Sequence, residues 1–158
     1  MSEQSHEYLT FFVAGEEFGI EILAVQEIRV LRKITELPNK PECVLGVINL
    51  RGTIIPIVDL RLRFNKPQVD HGDKTVVIIL KQLHEASDNS IGIVVDSVSE
   101  VYQVAANQVN LSPSFGNHVD HCFIHGLANV NHKLIVLLDS QKIFDTELLY
   151  QANPVSTI

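Results

Sequence analysis

Apolar residues along this chain fall in short runs of strand length, separated by polar, Gly or Pro punctuation. Residues 8–13 are aromatic and β-branched and predict a strand. Gly15-Glu16 is a hairpin signal, and residues 18–22 return as a second strand. Leu23, Ala24 and Ile28 are spaced for a turn or two of helix over residues 23–28. Residues 44–50 and 53–58 predict a hairpin turning at Arg51-Gly52, with Pro56 marking a sheet edge or bulge. Further strands are expected over residues 75–81, 91–95, 100–105, 123–129 and 133–138, the last two joined at Asn131-His132. Ser140 is placed to cap a C-terminal helix over residues 141–150, with Ile143, Phe144, Leu148 and Leu149 as its apolar face. Residues 1–7 are expected to be a flexible lead, residues 65–74 a link, and residues 150–158 a loose tail. Many short strands and few helices predict a mainly β fold of small, closed or nearly closed barrels.

The chain also repeats itself. Residues 18–28 match residues 91–101 at a shift of 73, with Gly19 on Gly92, Val25 on Val98 and Glu27 on Glu100. Residues 46–59 match residues 126–139 at a shift of 80, with Gly46 on Gly126 and Asp59 on Asp139. Shared Gly, Asn and Asp positions are not a by-product of apolar periodicity, so two lobes on one plan are expected. The halves part at one place: Arg51-Gly52 becomes Asn131-His132. Both pairs suit a turn, but only the first adds a fixed charge.

Composition narrows the function. With 46% hydrophobic and 20% charged residues the chain is globular. A formal net charge of -7 argues against nucleic-acid and anionic-membrane binding, including an oligonucleotide-binding barrel. No apolar run approaches the roughly 20 residues of a membrane span. Cys43 and Cys122 both sit in apolar stretches and are read as buried thiols of a reducing cytoplasm.

The segment from Gly46 to Arg61, GVINLRGTIIPIVDLR, resembles the signature of the CheW-like domain. Residues 18–28, 91–101 and Gly126-Leu127 are similar to its other landmarks, and the likeness runs over residues 8–149. The resemblance implies two five-stranded SH3-like barrels, related by a pseudo-twofold, around a shared hydrophobic seam. It implies a non-enzymatic chemotaxis adaptor without cofactor. Its partners would be the regulatory domain of the histidine kinase CheA and the cytoplasmic tip of a methyl-accepting chemoreceptor. The adaptor would be cytoplasmic and recruited to membrane-associated receptor arrays. Without a receiver domain after it or kinase domains before it, the expected type is neither CheV nor CheA. The positions matching the receptor-facing set are Val25, Glu27, Gly46, Arg51, Gly52 and Val98. The valines would floor a groove, and Glu27 and Arg51, expected as an ion pair, would orient a helical hairpin. The resemblance names no kinase-contact residues.

One cluster carries an alternative. His118, His121, Cys122 and His125, with Asp120 or Asp139, are zinc-ligand types at short spacing, as in a metal-dependent hydrolase. Against it, neighbouring side chains at a strand start point to opposite faces. No phosphate loop, Gly-x-Gly-x-x-Gly or Gly-x-Ser-x-Gly motif accompanies it.

Overall fold

The computed structural model describes residues 5–82, 89–110 and 123–144. Among them the chain forms eleven strands and two one-turn helices. The first half supplies β1 (Ser5–Val13), β2 (Glu16–Glu21), β3 (Val25–Val30), β4 (Val44–Leu50), β5 (Thr53–Asp59) and α1 (Leu60–Arg63). The second supplies β6 (Val76–Lys81), β7 (Ser90–Val95), β8 (Ser97–Ala105), β9 (Val109–Asn110), β10 (Ile124–Val130), β11 (Lys133–Leu138) and α2 (Ser140–Ile143).

These strands make two sheets, in the orders β3-β6-β7-β5-β4 and β8-β1-β2-β11-β10-β9. Replacing each strand of the first by its repeat partner gives the first five strands of the second. The first hairpin of each half crosses over: β6 and β7 lie between β3 and β5, and β1 and β2 lie between β8 and β11. Each lobe is therefore completed by two strands, a hairpin, from the other half. A single bridge, Thr35 to Val47, links β4 to the chain leaving β3 in the first lobe. The second lobe closes at the matching place through β9 and β10, where Asn110 faces Leu127.

Both faces of the inner strands are buried, which explains their unbroken apolar runs. In β6, Val77 and Ile79 enter the first barrel's core while Ile78 and Leu80 enter a central core shared by both lobes. In β1, Tyr8 enters the second barrel's core while Leu9, Phe11 and Val13 join the central one. Phe11, Phe18, Phe64 and Phe123 form a chain of rings through that seam, with successive centroids 6.1, 5.2 and 6.3 Å apart.

Several local expectations are corrected. Residues 25–30 are strand, not helix; the helical part of this stretch is a 3-10 turn over Ile22–Ala24. β-branched Val25, Ile28 and Val30 favour the sheet, but Ile28 and Val30 take exposed positions of this edge strand while Glu27 and Arg29 take half-buried ones, so the apolar residues do not alternate although burial does. The first hairpin turns one residue earlier, at Ala14-Gly15, where both φ values are positive. β1 begins at Ser5, inside the stretch expected to be a flexible lead, because Ser5 still faces Ala105 of β8. The cap of α2 is Asp139, whose carboxylate accepts from the Gln141 amide, as Asp59 does from Arg61 at α1. Beyond Phe144 the expected helix lies outside the described residues. Pro56 sits in an inner strand, one residue before the parallel ladder of Ile57 with Gly92 begins, so its missing N–H removes no rung.

Candidate functional site

The hairpin of β4 and β5 ends in a two-residue turn with Arg51 at φ 51° and Gly52 at φ 88°. Such primed turns match the twist of the flanking strands. Asn49 fixes the turn by accepting the Gly52 amide on its side-chain oxygen at 2.8 Å. This holds Arg51 outward, with 69% of its side chain exposed.

Glu27 comes from β3, an edge strand of the same sheet. Its Oε2 accepts from Arg51 Nη1 at 2.8 Å, and its Oε1 accepts from Arg29 Nη1 at 3.0 Å. The carboxylate is thus clamped between two guanidinium groups. Hydrogen bonds from Arg51 and then Arg29 hold its pKa below the ordinary value, and the same pair raises that of Arg51. The expected Glu27–Arg51 pair is formed. Arg29 is a participant the sequence reading missed, although residues two apart on a strand share a face.

Gly46 lies in the bulge of β4, at φ 150°. A side chain there would meet the backbone carbonyl of Thr35 and, at 2.8 Å, the side chain of Ile34. Its neighbour Val47 makes both hydrogen bonds of the closing bridge with Thr35, each 2.9 Å. Gly46 thus lets the first barrel close, whereas a side chain at Gly52 would enter open space. Val25 and Val98 occupy matching places, each half-buried against the central core, opposite Leu80 and Phe11. The six positions therefore divide into a polar tip, a closing bulge and two valines on the central seam.

A second polar contact spans the two sheets. Arg61 of α1 donates to Asp96 through Nε at 2.9 Å and Nη2 at 2.7 Å. Asp96 also accepts the Ala14 amide at 2.9 Å, and its own amide donates to Phe12 O at 2.9 Å. Nothing in the sequence pattern joined these positions, which lie 35 residues apart.

His118, His121 and Cys122 lie outside the described residues, as does Asp120. His125 is exposed on β10. Among the described residues, no three or more His, Cys, Asp or Glu side chains are grouped to hold a metal ion. No described helix is long and apolar enough to cross a membrane.

Two swapped SH3-like barrels carrying one charged hairpin tip define the class of protein. The CheW-like domain family matches residues 7–148. Chemotaxis protein CheW of Klebsiella aerogenes is 38% identical over 141 residues, covering 89% of this chain and 82% of that one. Chemotaxis protein CheW of Rhizobium meliloti is 29% identical over 147 residues, covering 93% and 92%. The crystal structure of the scaffolding protein TtCheW from Thermoanaerobacter tengcongensis superposes with a TM-score of 0.80 at 30% identity, covering 90% of this chain and 94% of that one. The chain belongs to the CheW-like domain family.

Proposed function

We propose that this protein is a cytoplasmic chemotaxis adaptor that couples chemoreceptors to a histidine kinase of the CheA type and catalyses no reaction itself. Membership of the CheW-like family supports the role, and the clamped Glu27 at the exposed tip carries the reading of the site. In this reading the cytoplasmic tip of a methyl-accepting chemoreceptor, a helical hairpin, docks along the first lobe. Val25 and Val98 supply apolar support, Glu27 and Arg51 set the orientation, and Gly46 and Gly52 keep the backbone in shape. The kinase's regulatory domain binds elsewhere on the same molecule, which brings the adaptor to receptor arrays at the membrane. Residues 8–149 act as one unit of two lobes, with the link near residues 65–74.

Reconstitution tests this. Receptor cytoplasmic fragments displayed on vesicles are mixed with a CheA-type kinase, with and without the purified protein. Receptor-dependent kinase autophosphorylation that appears only when the protein is present supports the role. Kinase activity indifferent to the protein, with no co-sedimentation of either partner, sinks it.

A further inference from the structure

The repeat gives the seam between the lobes two equivalent corners. At one, Asp96 links β7 to β8. At the other, Leu23 holds the matching position between β2 and β3, at the shift of 73. The first corner stands against α1 through Arg61. The second stands beside α2, where Glu21 at the end of β2 shares a cleft of about 350 Å³ with Leu138, Asp139 and Gln141. Gln141 is the counterpart of Arg61 at the shift of 80.

The two corners are built alike and fastened differently. Their helix caps match: Asp59 accepts the Arg61 amide and Asp139 accepts the Gln141 amide, each at 3.0 Å. The side chains then part. Arg61 makes two bonds to Asp96, which also takes the Ala14 amide. Leu23 has no side-chain acceptor to offer, and 66% of its surface is exposed. Gln141 Nε2 is buried and finds no acceptor among the described residues. A buried donor left unpaired is a cost that water removes once the corner opens. Anchorage differs in the same sense. Leu60 of α1 and the following Phe64 are buried in the central core, whereas their counterparts at α2 are Ser140 and the partly buried Phe144. The cleft also leaves α2 short of packing partners on one side.

We propose that the seam is a one-sided hinge: it opens locally at the Leu23–Gln141 corner, with α2 lifting away, while the Arg61–Asp96 corner stays shut. Local opening starts where buried apolar contacts are fewest. Val25 and Val98 lie two residues beyond Leu23 and Asp96, so they follow corners of unequal hold. Val98 sits next to the clamp and keeps its place, and Val25 borders the corner that moves. The seam thus changes shape at one valine without disturbing the other. This hinge is a property of the chain alone and does not depend on what docks there.

The test is amide hydrogen exchange of the full-length protein, read at the two cap amides, Arg61 and Gln141, after correction for intrinsic rates. Because their cap bonds are the same length, a difference between them reports the corner and not the bond. The Gln141 amide is expected to exchange about tenfold faster than that of Arg61, or more. Arg61→Ala removes the clamp and should bring the α1 cap amide to the level of α2. Leu23→Asp with Gln141→Arg builds the clamp at the second corner and should slow the α2 cap amide by about tenfold. If that pair does not fold, the comparison of wild type with Arg61→Ala decides. Equal protection at the two caps in the wild type overturns the proposal, as does an α1 cap amide that Arg61→Ala leaves unchanged. So does a folded Leu23→Asp, Gln141→Arg variant whose α2 cap amide exchanges as before.

Discussion

Arg61 and Asp96 form a two-pronged ion pair, 2.9 and 2.7 Å long, that ties the helix after β5 to the corner between β7 and β8. Because Asp96 also accepts the Ala14 amide from the β1–β2 turn, one carboxylate pins three elements belonging to both sheets. Arg61→Ala leaves that carboxylate half-satisfied and should cost about 1–2 kcal/mol of stability, given the pair's partial exposure to solvent. The pH dependence follows from the same contact. Burial alone would raise the Asp96 pKa, but the bonds from Arg61 and Ala14 outweigh it and the pKa is lowered. A lowered carboxylate contributes stability that is present above its unfolded pKa of about 4 and lost as pH falls through the lower folded value. Asp59, whose pKa burial raises, acts in the opposite sense. Urea unfolding at pH 7 and pH 3 should therefore show a smaller Arg61→Ala penalty at the acid pH.

Gly19 and Gly92 are equivalent in register. Gly19 lies opposite Leu137 across one parallel ladder and Gly92 opposite Ile57 across the other, and Leu137 and Ile57 are themselves repeat partners. The space around them differs. A methyl group at Gly92 would stand 2.6 Å from Ile57 Cδ1 and 2.8 Å from Val77 Cγ1, while at Gly19 the nearest atom is Leu137 Cδ2 at 3.0 Å. Gly92→Ala should cost about 1–3 kcal/mol as overpacking, and Gly19→Ala less. Thermal unfolding of the two variants side by side gives the order, and a larger loss at Gly19 contradicts the packing argument.

Gly46 and Gly52 both have positive φ, but they fail differently when substituted. Gly52→Ala meets no atom and carries only the backbone penalty, about 1–2 kcal/mol. Gly46→Ala adds a collision with the Thr35 carbonyl, whose residue forms the first barrel's closing bridge. A cost of about 3 kcal/mol or more is expected. Amide exchange should report it, with protection at Val47 and Thr35 lost in Gly46→Ala and kept in Gly52→Ala.

The strands were readable because inner strands buried on both faces leave unbroken apolar runs, as at β6 and β7, and because Arg51-Gly52 and Asn131-His132 mark their turns. The repeat was readable from Gly19, Gly92, Asp59 and Asp139, whose roles in close packing and capping need those residue types. The exchange of the hairpins β1–β2 and β6–β7 was not readable, since pairing partners depend on which edge is open and not on a strand's own sequence. β3 does not read as a strand because Ile28 and Val30 take exposed positions and Glu27 and Arg29 the half-buried ones, so its apolar residues do not alternate. The Glu27–Arg51 pair was reached through the asymmetry of the two turns. Asp96 and Gln141 gave no signal, because a clamp between lobes and an unpaired buried amide exist only once the chain has folded.

At the tip, the clamp on Glu27 separates a role in recognition from a role in stability. Arg51 is largely exposed, so Arg51→Ala should leave Tm nearly unchanged. Arg29 is less exposed and takes the other carboxylate oxygen, so Glu27 keeps one partner when Arg51 is removed. If the pair orients a receptor, Arg51→Ala and Glu27→Ala should each weaken receptor coupling on the order of tenfold. Because both act through one contact, the double variant should lose less than the two single losses combined. Arg29→Ala should have a smaller effect than Arg51→Ala, since the tip contact to Glu27 survives. Glu27 titrates below the usual carboxylate range, so the pair persists at neutral pH and coupling should fall only as pH drops toward that lowered value. The measurement is co-sedimentation with receptor vesicles across these four variants, with Tm recorded for each. Normal receptor binding by Arg51→Ala would return this side chain to the class of solvated turn charges, and fully additive losses would show that Glu27 and Arg51 act apart.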